Sequence, residues 1–344
     1  MEVGIIGAGA ASAAAAFVLD GTVPEAELTV FEKSGGLCGR AATRRRDGRY
    51  YDYGANYVKD DDERVVELLT ETLDTDGLVT IDEPIYVFDE AGAVSEGRDA
   101  DERKWTYEEG LTQIAKRLFG RTDATVHRRT RIDGISRDGE QWRLSDTDGE
   151  TYGPFDVLVC NPPAPQTATL LRGADWESEL RETLVRAVEA VDYRTIYTAV
   201  LGYEFELDVP YYGLVNPGKD HDVGWISREE CKPGHVPAGE SLLIVQASHD
   251  WSVEHYDDPA AENVAALAEM TAEIVGDKRL AAPAWSDSQG WRYALTEGGV
   301  ARGPVDSAAA EGLYFLGDWV AGEARIHAAL RNGLDTGERI AHRL

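Results

Sequence analysis

Cysteine is scarce. Cys38, Cys160 and Cys231 are the only three in 344 residues, and no two are spaced as C-x-x-C. An odd, scattered set argues against a disulfide framework and a thiolate zinc site, and no metal is expected. Lysine is scarce too: it supplies seven of 34 basic residues, against 63 acidic ones, for a net charge of −29. Such a surface repels phosphate backbones and anionic lipid, so nucleic-acid and membrane-surface partners are set aside. No run of about 18 apolar residues occurs, so no membrane span is expected. Strand-forming residues begin almost at Met1, so no signal peptide is read, and the cytoplasm is the expected compartment. The acids are dispersed, with one dense run at Asp60, Asp61, Asp62 and Glu63. That pattern resembles proteins of salt-loving organisms, where charge keeps the surface hydrated and says nothing about a partner.

What remains is enough for a sizeable core, since 43% of residues are hydrophobic. The length suits two domains, or one α/β domain with an insertion. Residues 2–7 read as a buried strand, 10–19 as a helix of small residues and 28–31 as a second strand, which together make a βαβ unit. An amphipathic helix is expected over 63–73, short antiparallel strands within 79–97, a helix over 106–119 and a meander over 125–152 turning at Asp138-Gly139. Residues 155–160 read as another buried strand, stopped by Asn161-Pro162-Pro163. Helices are expected near 175–190 and 260–275, and strands at 194–207, 211–215 and 241–248. A last buried strand at 313–317 precedes a helix from about 326 to 342. Core strands at both ends put the termini in one domain with the middle inserted. The expected division is 1–78, 105–165 and 288–344 for a dinucleotide-binding domain, and 79–104 and 166–287 for an α+β substrate domain.

The first turn reads Gly7-Ala8-Gly9-Ala10-Ala11-Ser12. A phosphate-binding turn asks for G-x-G-x-x-G between a strand and a helix. Gly7 permits the sharp turn, and Gly9 lets backbone approach a pyrophosphate, which would rest on the helix N-terminus at Gly9, Ala10 and Ala11. The third glycine is Ser12, and the alanines from Ala13 to Ala16 keep the helix slim. Glu32 ends the next strand, where a carboxylate can accept both hydroxyls of a ribose. Lys33 follows it.

The segment from Gly35 to Thr43 then resembles the G-G-x-x-G-R-x-x-T signature of two-dinucleotide-fold flavoproteins, the superfamily of amine oxidases and phytoene desaturases. This resemblance implies a non-covalently bound FAD. Gly39, Arg40 and Thr43 would lie on its diphosphate, with Arg40 offering fixed charge and forked donors. Ile132 would meet the adenine, and Gly317 with Asp318 the ribityl chain. Gly54, Ala55 and Asn56 would lie by the flavin, and Ile326 and Ala329 would open a helix aimed at its pyrimidine. It also implies a Rossmann-like, p-hydroxybenzoate-hydroxylase-type topology. Cys38 sits inside the phosphate loop as a small residue, with no covalent flavin link expected.

A narrower resemblance spans nearly the whole chain. Gly39 to Arg45 and Tyr51-Asp52-Tyr53-Gly54-Ala55-Asn56-Tyr57 are similar to blocks of renalases. So are Trp225 to Arg228 with Lys232-Pro233-Gly234, and the segments at Ser248 to Ser252, Trp291 to Ala294 and Gly317 to Trp319. His327 replaces a family acid and Asn56 a glutamine. The resemblance implies oxidation of a dihydronicotinamide isomer, with hydride passing to flavin N5 and O2 as acceptor giving H2O2. Asn56, Tyr57, Trp225, Trp291 and Tyr293 are the candidate flavin-facing or substrate-facing residues. Core packing is the competing role for each aromatic. Arg228, Lys232, His235 and His249 are candidate cations for a dinucleotide substrate, and a hydrogen-bonded helix residue is preferred for His327. Two other functions stay open: a flavin amine oxidase or carotenoid-type desaturase, and a non-catalytic FAD-binding partner protein. No lysine follows Lys278, which weighs against an amine-oxidase lysine there.

Overall fold

The computed structural model describes residues 1–97 and 102–343. Residues 98–101 of the expected substrate domain, and Leu344 at the end of the other, lie outside the described residues. The chain opens with β1 (Glu2–Ile6), α1 (Ala10–Thr22) and β2 (Glu27–Glu32), the expected βαβ unit. A hairpin of β3 (Thr43–Arg46) and β4 (Arg49–Asp52) follows, then the short β5 (Val58–Lys59) and α2 (Glu63–Glu67). The Asp62 side chain caps α2 at Val65 N, and the helix continues through a wide π turn to Thr72. Next come β6 (Leu78–Thr80), β7 (Ile85–Phe88), β8 (Val94–Ser95), β9 (Lys104–Tyr107), α3 (Thr112–Phe119) and β10 (Thr125–Arg128). A meander of β11 (Ile132–Asp138), β12 (Gln141–Asp146) and β13 (Thr151–Phe155) leads into β14 (Val157–Cys160).

The second half holds α4 (Ala164–Gly173), α5 (Glu179–Glu189), β15 (Asp192–Tyr203), β16 (Gly213–Val215), β17 (Val223–Arg228) and β18 (Ser241–Ala247). It ends with α6 (His249–Glu254), α7 (Ala260–Val275), β19 (Trp285–Glu297), α8 (Arg302–Ala308), β20 (Leu313–Phe315), α9 (Asp318–Ala321) and α10 (Ile326–Ala341).

Two large sheets organise these elements. One is parallel and five-stranded, in the order β10-β2-β1-β14-β20. Its inner strands are near-continuous apolar runs because α1, α3 and α10 cover one face, and the β11–β13 meander with α4, α5 and α8 covers the other. The other has seven strands, in the order β19-β15-β18-β17-β16-β7-β8. The termini share the parallel sheet, as the pattern of buried strands implied. The all-alanine face of α1 lets α10 come close: a Cβ added at Gly333 would stand 2.2 Å from the Ala11 carbonyl oxygen.

Several expectations need correction. Residues 104–107 form β9, not the start of a helix, because cross-strand bonds to β5 and β6 claim them. The strand at 125–128 joins the parallel sheet beside β2 instead of the meander. The apolar faces of α4 and α5, with Leu170, Leu171, Leu184 and Val188, pack with Trp142, Phe155, Phe315 and Trp319 on the parallel-sheet side. A boundary at 166 therefore separates residues that share a core. A boundary at 288 cuts β19, which pairs with β15 along its length. β19 escaped notice because its residues are half-buried on both faces, so apolar alternation is weak.

Candidate functional site

The carboxyl ends of β1, β14 and β20 carry the loops at residues 7–9, 161–163 and 316–318, the edge where parallel α/β sheets bind ligands. Gly7 turns with φ +91°, and its N–H donates to the Phe31 carbonyl at 2.8 Å. Gly9 starts α1, and a Cβ there would lie 2.7 Å from Asn161 Nδ2. The first N–H of α1 to find a helical partner is that of Ala13, bonded to the Gly9 carbonyl. Those of Ala10, Ala11 and Ser12 are left for a ligand. The Ser12 hydroxyl, in the same turn, is buried and without a hydrogen-bond partner among the described residues. Asn161 was read only as a strand stop. Its amide lies between Gly9 and Gly317, whose Cβ position is 3.3 Å from Asn161 Oδ1. The signal that could have found it is its place directly after a buried parallel strand.

Glu32 ties the glycine loops together. Ala8 N–H donates to its Oε2 at 2.9 Å and Ser34 N–H to its Oε1 at 2.8 Å. Each oxygen keeps a second lone pair for a ribose hydroxyl. The 35–39 loop closes on the first turn through Cys38 N–H, 2.9 Å from the Ala8 carbonyl. Gly39 adopts φ +58° beside the Cα of Gly9. Burial pushes the Cys38 thiol up to about 12. Lys33 is exposed and reaches Gln166 at 3.3 Å. At the far side, Gly317 N–H donates to Asn332 Oδ1 at 3.0 Å. Ala329 is the first residue of α10 bonded back to Arg325, so the N–H groups of Ile326, His327 and Ala328 have no helical partner. Ile132 is buried at the start of β11.

Arg40 and Thr43 do not sit as expected. Arg40 forks onto Asp318, with contacts of 2.6 and 2.9 Å, and donates to the Ala294 carbonyl at 2.9 Å. Burial opposes its charge, but Asp318 outweighs burial and holds the guanidinium above its ordinary pKa. It pins the glycine loop to β19 and to the Gly317-Asp318 turn. Thr43 donates to Asp52 Oδ1 at 2.6 Å and accepts from Thr112 N–H, so it braces the hairpin.

A second group of residues adjoins the glycine loop, where Ala55 N–H donates to the Arg40 carbonyl at 3.0 Å. Asn56 Oδ1 accepts from Trp225 Nε1 at 3.2 Å and from Ser227 Oγ at 2.7 Å. Its Nδ2 donates to the Gly54 carbonyl at 2.9 Å, and an indole nitrogen can only donate, so the orientation of the amide is fixed. Gln246 also donates to the Gly54 carbonyl, at 2.7 Å. Trp291 Nε1 donates to the Tyr53 carbonyl at 3.1 Å, and the two rings stack at 5.2 Å. Trp225 pairs across the sheet with Gln246, and Gln246 with Thr198, so these residues share one face. The Tyr57 ring lies 6.0 Å from Tyr212 and 6.3 Å from Trp225. Tyr293 packs on Tyr193 at 5.7 Å. Gly54 cannot be larger, since a Cβ would fall 2.0 Å from the Arg40 carbonyl oxygen. The sequence missed Ser227, Gln246 and Tyr212, for which no local motif speaks.

Residues 5–72 match the NAD(P)-binding Rossmann-like domain, and residues 92–341 match the family described as flavin containing amine oxidoreductase. The second match covers well over half of the chain. The protein belongs to the flavin containing amine oxidoreductase family. Among solved structures it is similar to a candidate protoporphyrinogen oxidase from Exiguobacterium sp. 255-15, at 14% identity and TM-score 0.81, with 100% of this chain and 99% of that one covered. A putrescine oxidase bound to putrescine matches at 11% identity and TM-score 0.74, with both chains fully covered. A CLA-producing fatty acid isomerase from P. acnes matches at 14% identity and TM-score 0.70, with 98% of each covered. These identities establish the shared fold.

The chain is thus an FAD-dependent oxidoreductase. The residues present fit that cofactor. The orphaned Ser12 hydroxyl, the free N–H groups of α1 and the close approach at Gly9 are the features a phosphate-binding turn requires. The sheet face carrying Trp225 and Trp291 is the surface suited to a planar ring.

Of the four cations proposed for a substrate, Arg228, Lys232 and His235 are spent internally, and His249 is half-buried with one ring nitrogen bonded. Arg228 bonds Glu230 Oε1 and the carbonyls of Leu207, Val209 and Tyr211. His249 Nδ1 accepts from Thr195 N–H at 2.9 Å. Lys232 is fully buried, 3.0 Å from Asp52 Oδ2 and 2.7 Å from Glu229 Oε1. His235 is fully buried, with Nδ1 2.8 Å from Glu229 Oε2 and Nε2 2.9 Å from the Tyr107 carbonyl. Burial is the largest single influence on Lys232 and on Asp52 and works against charge, but it is outweighed together by Asp52 and Glu229 at Lys232, and by Lys232, His235 and the hydrogen bonds from Thr43 and Leu111 at Asp52. The ammonium is held above its ordinary pKa, and the carboxyl below its own. His327 is buried in the first turn of α10, 3.5 Å from Glu323 Oε1.

Proposed function

We propose that the protein oxidises an isomer of a dihydronicotinamide, with FAD as hydride acceptor and O2 as the final acceptor. When bound, the flavin supplies that hydride-accepting chemistry. The work left to this chain is to bind, orient and exclude water. One observation carries the reading: the wall of Asn56, Tyr57, Trp225, Ser227, Gln246 and Trp291 offers indoles, a phenol, a hydroxyl and amides, while Arg228, Lys232 and His235 are turned inward. A donor that becomes an aromatic cation on losing hydride needs no base to remove a proton. Planar faces and a fixed amide suffice to orient it. Arg325 stands close enough to Tyr57 for its charge to act on the phenol and can meet an anionic part of the substrate, whereas Lys59 is paired with Glu102.

Amine oxidation is the second reading. The Tyr57, Tyr212 and Trp225 rings lie 6.0–6.3 Å apart, and an ammonium can be received on such faces. The deciding experiment is anaerobic mixing of the holoenzyme with isomeric dihydronicotinamides and, separately, with diamines. Bleaching of the flavin band by one dihydronicotinamide isomer supports the first reading. Bleaching by diamines alone replaces it with the second.

A further inference from the structure

The charges beneath segment 53–57 form a more specific arrangement than packing requires. Asp52, Glu229 and His235 present ligand atoms within 4.8 Å of one another, as a three-ligand cation site would. The Lys232 ammonium contacts both carboxylates, and the side chains of all three are fully buried. The remaining oxygens are met from several directions. Asp52 Oδ1 accepts from Thr43 Oγ1 and Leu111 N–H, and Oδ2 accepts from Thr106 Oγ1 at 3.1 Å. Glu229 Oε2 accepts from Asp52 N–H at 3.0 Å and contacts His235 Nδ1. The network joins the β3–β4 hairpin, the turn between β9 and α3, and the segment after β17. Buried ion pairs often add no more stability than apolar packing would, and their attested use is to fix register.

Both strands pinned here run directly into the wall of the site. Asp52 stands four residues before Asn56, and Glu229 two residues after Ser227. We infer that Lys232 is the built-in cation of a three-ligand site, and that it is a positioning residue which sets segment 53–57 against β17 and so brings Asn56 to Trp225 and Ser227. Only the last clause rests on the proposed flavin wall. A lysine here does what a divalent ion would do between two carboxylates and an imidazole, without a metal to lose.

The test has two arms, both on the full chain. In the first, Lys232→Ala is melted with and without Zn2+, beside wild type. The expected result is a variant of low stability that one Zn2+ per chain restores, while wild type is unmoved. A variant that Zn2+ leaves as unstable or as unfolded as before overturns the ligand set. In the second, the double variant D52N/K232M removes one charge of each sign, so that folding does not depend on a lone buried charge. It should melt within a few degrees of wild type but bind FAD at least tenfold more weakly, with an altered visible spectrum of the bound flavin. FAD affinity and spectrum like those of wild type overturn the positioning role. The first arm needs no flavin, so wild-type chain that failed to take up FAD would strike the flavin reading and leave that arm standing.

Discussion

Replacing Gly333 by alanine sets two effects of opposite sign against each other. Gly333 lies in the interior of α10, where Gly→Ala ordinarily stabilises a helix by about 1 kcal/mol. The new Cβ would meet the Ala11 carbonyl oxygen at 2.2 Å and its carbonyl carbon and Cα at 2.9 Å. Those atoms are backbone and cannot rotate away, so α1 and α10 must separate by roughly 1 Å to regain van der Waals distance. Overpacking of this kind costs about 1–3 kcal/mol. The steric effect should win, for a net loss of about 1 kcal/mol or more. The same displacement spreads the N-termini of α1 and α10, on which the cofactor is proposed to rest, so the FAD dissociation constant should rise roughly tenfold, about 1.4 kcal/mol. Thermal melts and FAD titration measure both quantities. Gly21→Ala is the control: it is also helical, in α1, but a Cβ there meets nothing within 4 Å. It should gain a few tenths of a kcal/mol, up to about 1. If Gly333→Ala is stabilised as Gly21→Ala is and binds FAD normally, the close helix contact is wrong.

Arg40→Lys should lower stability by about 2 kcal/mol and weaken FAD binding, because an ammonium cannot span both Asp318 oxygens and the Ala294 carbonyl; denaturant melts and FAD titration check it. Trp225→Phe should slow flavin reduction by substrate more than it weakens FAD binding, since it removes one of the three hydrogen bonds that hold the Asn56 amide and leaves the glycine turn untouched; anaerobic stopped-flow reduction separates the two, and an unchanged reduction rate refutes it. The pH dependence has a defined sign at both ends. Lys232 has a raised folded pKa, so its stabilisation is complete below the unfolded value of 10.5 and is lost as pH rises through the folded one. Asp52 has a lowered folded pKa, so its stabilisation is present above 3.8 and is lost as pH falls through the folded value. Melting temperature against pH should therefore drop at both extremes, and D52N/K232M should flatten both limbs relative to wild type.

The first turn, Glu32 and the Gly39-Arg40 segment could be read from the sequence because their partners are close along the chain and their conformations are enforced by glycine. The roles of Arg40 and Lys232 could not. Arg40 finds Asp318 across 278 residues, and Lys232 finds Asp52 across 180. An isolated arginine after a glycine loop looks the same whether it holds a phosphate or a carboxylate. A lysine in an acidic chain looks solvated until the fold buries two acids around it. β19 escaped notice for a related reason: Asp287 and Gln289 dock on Arg44 by polar bonds, so the strand lacks the apolar alternation that marks a buried face. Asn56, Tyr57, Trp225, Trp291 and Tyr293 were singled out through blocks of sequence, and their role at a flavin is a proposal. What those blocks did not carry was the fixed orientation of the Asn56 amide, which depends on the Trp225 indole N–H at one end and the Gly54 carbonyl at the other.

The most direct measurement is titration of cofactor-stripped protein with FAD, for wild type and for Gly9→Val, whose side chain would fill the cradle between α1 and Asn161. Wild type should take up one FAD per chain and show the visible spectrum of a bound flavin, and Gly9→Val should bind far more weakly. Wild-type protein that stays colourless, or a Gly9→Val variant that binds FAD as tightly as wild type, would contradict a cofactor seated on the first glycine turn.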